Sequence, residues 1–295
     1  NAGYPPVTWH AMSIKRVGIV GSGIMGSGIA QTAAVHGFEV VLRSRSQGAA
    51  DSMVAGVEKS LAKQVEKGNL AEAERDGALE RLSAVTDLGA LAGCDLVIES
   101  VVEDMQVKKH LFSELDRICG DHTVLATNTS TLAVVDMAME TGRPEKICGI
   151  HFFNPAPVMS LVEIVRPITA SQETISAATS FAESCGKEAV EVKDQAGFIV
   201  NALLFPYLNN AVRLLESGVA TREGIDTAMK GGCGFPMGPF ALLDLVGLDT
   251  SLAILDALYD EFRDPHFAAV PLLRRMVAAE LLGRKSGKGF YDYHG

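Results

Sequence analysis

Ile14-Lys-Arg-Val-Gly-Ile-Val20 runs directly into Gly21-Ser-Gly-Ile-Met-Gly26. The first segment, mostly apolar and β-branched, reads as a buried strand. The second fits Gly-x-Gly-x-x-Gly, a string that carries weight only in the right surroundings. Residues 27–36 read as a helix with Ile29, Ala33 and Ala34 on its apolar side. Gly37 suits its C-terminal end, and residues 38–42 form a second short strand. In such a unit the first glycine permits the tight turn and the second lets a pyrophosphate approach the backbone. The third packs helix on strand, and the helix N-terminus faces the phosphates. Gly21, Ser22, Gly23, Ile24, Met25 and Gly26 are therefore expected to hold a dinucleotide.

The second strand of such a unit ordinarily ends in an acid for the adenosine ribose diol. Here it runs Val40-Val41-Leu42-Arg43-Ser44-Arg45, without a carboxylate. A serine between two arginines removes repulsion from a 2′-phosphate and offers it charge-assisted hydrogen bonds. Arg43, Ser44 and Arg45 thus predict NADP(H) in preference to NAD(H). Simple solvation of the two arginines is the alternative.

Outward from this unit, residues 49–82 are rich in Ala, Glu, Lys and Leu and lack proline. They read as one or two exposed helices broken near Gly68-Asn69, a long excursion and so an insertion. Further strands are expected at 96–98, 123–126, 147–152, 161–165 and 189–192, with an amphipathic helix at 105–118. The alternation predicts a mainly parallel sheet covered by helices. After Asp194 the pattern changes. Residues 198–216, 221–230, 240–262 and 271–282 read as helices, with Thr221 as an N-cap and Asp226 in the first turns. The expected architecture is α/β: a Rossmann-type doubly wound sheet with a helical insertion over 12–195, followed by an all-α C-terminal domain over 196–295. Residues 1–11 have no periodic pattern and no apolar core of a signal peptide, and read as a tag remnant or extension before Met12.

Hydrophobic residues make up 47% and charged residues 21%, which suits buried cores and excludes whole-chain disorder. A net charge of −10 argues against a nucleic-acid binder. Positive groups gathered at Arg43/Arg45, at Lys59/Lys63/Lys67, and at Lys108 and Lys285 leave small anionic ligands open. No run approaches the ~20 apolar residues of a membrane span, so no membrane partner is expected. Cys94, Cys119, Cys148, Cys185 and Cys233 show neither Cys-x-x-Cys nor metal-ligand spacing. Buried reduced thiols, a cytoplasmic location and no metal are expected.

His151-Phe-Phe-Asn-Pro-Ala-Pro-Val-Met-Ser-Leu-Val-Glu163 sets a His and a Glu on two predicted strands joined by a proline-bearing turn. Strands joined this way can bring the two side by side. A carboxylate on one imidazole nitrogen fixes the tautomer, and the other nitrogen can then take a proton from an alcohol whose carbon is losing hydride. On spacing alone, a histidine beside aromatics is as readily structural.

With the glycine turn and this segment, Asn128-Thr-Ser130, Gly197-Phe-Ile-Val-Asn201, Pro236-Met-Gly-Pro239, Val246-Gly-Leu-Asp249 and Gly283-Arg-Lys-Ser-Gly-Lys-Gly-Phe-Tyr291 complete seven motifs in order. In them the chain resembles the 3-hydroxyacyl-CoA dehydrogenases, most nearly their short-chain branch, over residues 14–293. The resemblance implies reversible NAD(P)-dependent oxidation of 3-hydroxybutyryl-CoA to acetoacetyl-CoA. It implies His151 as general base and Glu163 as its orienting carboxylate. Ser130 and Asn201 are implied to hydrogen-bond the reacting oxygen and thioester region. Glu103, Lys108, Asn154 and Lys285, with Ser130, are implied to contact the cofactor, and Ser60 and Lys67 the CoA. Ser60 and Lys67 lie two helical turns apart on one face. Lys59, Lys63 and Lys67 add a basic stripe suited to phosphates, or else a solvated face. NAD-using members of the family carry an acid where this chain has Ser44, which leaves the cofactor open between NADP and NAD. A dehydrogenase of a free hydroxy or sugar acid and a catalytically silent dinucleotide sensor are the alternatives. Residues 198–215 carry more large apolar residues than one surface stripe requires. With the family's dimers this implies a homodimer through the helical domain, against the alternative of a self-contained core.

Overall fold

The apolar run folds as β1 (Arg16–Val20), buried from Val17 onward. It passes through the glycine turn into α1 (Ile24–Val35) and then β2 (Glu39–Arg43), which pairs parallel to β1. The computed structural model describes residues 14–294, so the reading of residues 1–11 lies outside the described residues. Gly21 sits at φ +134°, and a Cβ there would come within 2.2 Å of the Ser100 carbonyl oxygen. A Cβ on Gly26 would come within 2.2 Å of the Gly21 carbonyl oxygen. The Gly21 N–H donates to the Arg43 carbonyl at 3.1 Å, so the turn is pinned to the end of β2.

The insertion forms α2 (Gln47–Glu66), whose first turn is capped by the Ser46 hydroxyl, and α3 (Glu72–Glu80). Helix does not extend to residue 82 as the composition suggested. Leu82–Val85 is β3, parallel to β2 at the sheet edge. None of its four residues is fully buried, so its strand state comes from the ladder with β2 and leaves no period in the sequence.

β4 (Leu96–Glu99), α4 (Met105–Ile118), β5 (Val124–Thr127) and the short α5 (Val134–Ala138) follow. The Asp194 carboxylate accepts the Val134 and Val135 N–H groups at the start of α5, at 2.9 and 2.7 Å. β6 (Ile147–Phe152), β7 (Leu161–Arg166), α6 (Gln172–Ser184) and β8 (Glu188–Lys193) complete this unit. The sheet order is β3-β2-β1-β4-β5-β6-β7-β8, parallel throughout except for β6 against β7. Strand order reverses between β1 and β4, where a doubly wound sheet opens a crevice at the strands' C-terminal ends. Ile19, Leu42, Ile98, Ile150, Ile29 and Phe181 sit at the centre of its core.

The chain divides into two compact units between Asp194 and Gln195. The second contains α7 (Val200–Glu216), α8 (Arg222–Cys233), α9 (Pro239–Val246), α10 (Leu248–Phe262) and α11 (Pro271–Ala278) around Leu208, Phe240, Leu243 and Leu258. Thr221 caps α8, its hydroxyl accepting the Gly224 N–H at 3.1 Å. Asp226 serves the next helix, accepting N–H groups of Phe240 and Ala241 at the start of α9. The single helix read over 240–262 is two, because Gly247 at φ +100° ends one and begins the other. The last helix stops at Ala278, short of residue 282.

Four cysteines are buried as expected, and burial pushes the Cys148 thiol up to about 12. Cys233 is exposed instead, at the end of α8 between glycines that leave it uncovered. Among the described residues, no helix is long and apolar enough to cross a membrane.

A Gly26→Ala protein must open the turn to admit its methyl group. The expected result is a melting temperature lowered by the equivalent of about 1–3 kcal/mol of overpacking; an unchanged melting curve would show that the turn has room.

Candidate active site

The crevice at the β1/β4 reversal has a volume of about 490 Å³. Its walls are the glycine turn, residues 43–45 at the end of β2, residues 100–102 after β4, and the α4 side chains Val107, His110, Leu111 and Glu114. Ser44 is only 2% exposed. The residue belongs to this lining; its N–H donates to the Val85 carbonyl at 2.9 Å, while its buried hydroxyl has no hydrogen-bond partner. A buried hydroxyl left without a partner is uncommon and suits a ligand's polar group. Arg43 donates from Nε to the Thr86 carbonyl at 3.1 Å, and Arg45 is exposed. No acid occupies the end of β2, and the residues present fit a dinucleotide's adenosine half.

On the antiparallel pair, His151 and Glu163 are direct register partners, so both side chains leave the same face. His151 Nδ1 lies 2.7 Å from Glu163 Oε2, with the histidine side chain 7% exposed and that of the glutamate fully buried. The N–H on Nδ1 donates to that carboxylate, which fixes the tautomer. Phe153 packs its ring 4.5 Å from the imidazole. The loop after β5 is tied to the same strand end, because Asn128 Oδ1 accepts the Phe152 N–H at 2.8 Å. Ser130 follows in that loop, half-buried.

Glu103 organises the loop from the other side. Its Oε1 accepts the Thr129 hydroxyl at 2.5 Å and the Ser130 N–H at 3.0 Å. Burial pushes the Glu103 carboxyl up, but the Lys108 ammonium, the Thr129 hydroxyl and the Ser130 N–H together hold it below the usual carboxylate range. Lys108, expected against the cofactor, does not line the crevice. It is 1% exposed, with its ammonium 2.7 and 2.8 Å from the two oxygens of Glu99 and 3.2 Å from Glu103. Glu99 escaped the sequence reading. A glutamate at the end of a four-residue apolar strand was the available signal.

A second cleft of about 610 Å³ lies between α1, α2 and residues 154–157. Ser60 and Asn154 both line it, with Ser22 and Gly23 from the glycine turn. Lys67 does not; with Lys59 and Lys63 it is exposed along α2. Lys187, also unread in the sequence, donates to the carbonyls of Ala156 and Met159 at 2.8 Å each and so holds the turn between β6 and β7. Asn201 and Lys285 belong to the second unit. Asn201 is buried on α7, and Lys285 pairs with Asp249 at 2.5 Å.

A crevice at the switch point of a doubly wound sheet and, at the end of β6 in the same unit, a histidine held by a buried carboxylate are the parts of a nicotinamide-dependent dehydrogenase. The 3-hydroxyacyl-CoA dehydrogenase NAD binding domain matches residues 16–195, and that family's C-terminal domain matches residues 197–293. The 3-hydroxybutyryl-CoA dehydrogenase of Clostridioides difficile is 47% identical over 95% of this chain and 99% of its own. The mitochondrial hydroxyacyl-coenzyme A dehydrogenase of Sus scrofa is 44% identical over 95% of this chain and 91% of its own. The crystal structure of (S)-3-hydroxybutyryl-CoA dehydrogenase from Ralstonia eutropha superposes with a TM-score of 0.94 at 43% identity, covering 96% of this chain and 100% of that one. The chain belongs to the 3-hydroxyacyl-CoA dehydrogenase family.

Glu163→Gln keeps a hydrogen-bond acceptor beside His151 but removes the charge. We expect kcat to fall by about 10²–10⁴-fold, the range seen when a general base or its orienting carboxylate is disabled. Turnover above about a tenth of wild type in Glu163→Gln or His151→Ala would contradict these roles.

Proposed function

We propose that this protein interconverts 3-hydroxybutyryl-CoA and acetoacetyl-CoA and prefers NADP(H). The observation that carries the chemistry is the buried 2.7 Å pair of His151 and Glu163. When bound, the nicotinamide supplies the acceptor or donor of hydride. In oxidation, His151 takes the C3 hydroxyl proton as that carbon gives up hydride, and Glu163 stabilises the imidazolium that results. In reduction, the imidazolium returns the proton to the C3 ketone oxygen. Ser130 and Asn201 keep their proposed hydrogen bonds to the reacting oxygen and thioester region, and Glu103, Ser130, Asn154 and Lys285 their proposed contacts with cofactor.

The names of the relatives support an acyl-CoA substrate. The 610 Å³ cleft supports it too, since it holds Ser60 on a helix whose exposed lysines suit the phosphates of CoA. Four buried, unpaired cysteines fit a reducing cytoplasm. Residues 12–195 are assigned to the dinucleotide and 196–295 to dimerisation and substrate closure. On α7, Leu203 at 72% and Leu214 at 46% exposure lie eleven residues apart, hence on one face, and support a homodimer through this helix. Sedimentation of the wild type should report a dimer and that of Leu203→Glu/Leu214→Glu a monomer; a monomeric wild type would end the proposal.

NADP(H) preference rests on Ser44, whose partnerless hydroxyl stands where an acid would repel a 2′-phosphate. That preference favours acetoacetyl-CoA reduction as the working direction. With acetoacetyl-CoA as substrate, kcat/KM for NADPH should exceed that for NADH. Ser44→Asp should reverse the order by about tenfold or more, the scale of one charge–charge repulsion near a protein surface. An equal or better value for NADH in the wild type would overturn the preference while leaving the acyl-CoA chemistry intact.

A further inference from the structure

Glu99 is fully buried at the C-terminal end of β4, between β1 and β5, where a lone carboxylate would be costly. It is fully engaged. Oε1 accepts the Val101 N–H at 2.6 Å, Oε2 accepts the Thr127 hydroxyl at 2.7 Å, and both face the Lys108 ammonium. Lys108 spends its remaining reach on Glu103 Oε2, while Glu103 Oε1 gathers the Thr129 hydroxyl and the Ser130 N–H. An unbroken chain of charge-assisted contacts therefore runs from the sheet interior to the loop that presents Ser130.

We propose that Glu99 and Lys108 are a buried positioning pair that fixes Glu103 and, through it, the turn that carries Ser130. Neither member touches the reacting atoms. The Lys108 ammonium is held between Glu99 and Glu103, with its side chain 1% exposed. The charged groups set against Glu103 are Lys108 from α4 and, behind it, Glu99 from β4; the β5 loop adds only hydroxyl and N–H groups. Glu103 accepts from the loop as a carboxylate, so its hold on Ser130 is complete when it is ionised and weakens as it takes a proton. The proposal rests on the reading that Ser130 meets the reacting oxygen.

The test follows acetoacetyl-CoA reduction with pH. In that direction His151 acts as the proton donor. Lys108→Met removes the cation that holds the Glu103 carboxyl down. Its acid limb should move to higher pH, and kcat should fall by about tenfold or more, as expected for a misplaced catalytic group. KM should change little. The melting temperature should fall as well, because Glu99 is left buried without its counter-charge. Glu99→Gln/Lys108→Met removes both charges, and here the two roles part. The melting temperature should recover, while the lowered kcat and displaced acid limb persist. A double variant that regains wild-type kcat and acid limb along with its stability would reduce the pair to a structural one and overturn the proposal. Glu103→Gln alters a partly exposed side chain and needs no core repacking; it should lose kcat to the same degree, and wild-type turnover there is equally fatal. Ser130→Ala separates the two ideas. If it keeps full activity, the role of Ser130 has failed; if it loses activity while the double variant keeps wild-type kcat and acid limb, the pair alone has failed.

Discussion

The geometry of the His151–Glu163 pair depends on a single antiparallel ladder in an otherwise parallel sheet. β6 and β7 pair Gly149 with Val165, Ile150 with Ile164 and His151 with Glu163. A slip of one residue would send Glu163 to the opposite face and leave a buried histidine without its carboxylate. The main chain thus decides the apposition before either side chain chooses a rotamer. Parallel neighbours could not do this within twelve residues, since they need a crossover of a dozen or more. On the other edge of β6, pairing with β5 brings Asn128 to the Phe152 N–H and delivers the Ser130 loop to the same strand end.

Around this ladder the charges are arranged locally, against the sign of the whole. The chain carries −10 overall, yet the crevice at the β1/β4 reversal ends on Arg43 and Arg45 and the second cleft adjoins a lysine-bearing helix. In the sheet, Glu163 is matched by His151 and Glu99 by Lys108. Such pairs add little net stability, but removing one partner is expensive, which makes them effective fixatives of geometry.

Much of this was legible in the sequence because it is local or periodic. The glycine turn, the strand–helix alternation and the His151–Glu163 segment announce themselves within a few residues. β3 did not, since its four half-exposed residues become a strand only beside β2. The break at Gly247 was hidden inside an apolar helical pattern. Glu99 showed only as a glutamate closing an apolar strand, with no sign of what it holds. Its partners Lys108 and Thr127 are nine and twenty-eight residues away, and only the folded sheet sets them together. Lys187, with partners about thirty residues upstream, is the same case.

The three glycines of the turn, finally, do not answer to the same judge. Gly21 and Gly26 are demanded by the polypeptide itself, whose own carbonyls fill the space a side chain would need. Gly23 has an ordinary φ of −81° and nothing within 4 Å of where its Cβ would be. Folding would accept alanine there, and the open space belongs to the walls of both clefts. One short string therefore holds two kinds of memory. Two of its glycines record how the chain must bend, and the middle one keeps open a space that the fold itself does not fill.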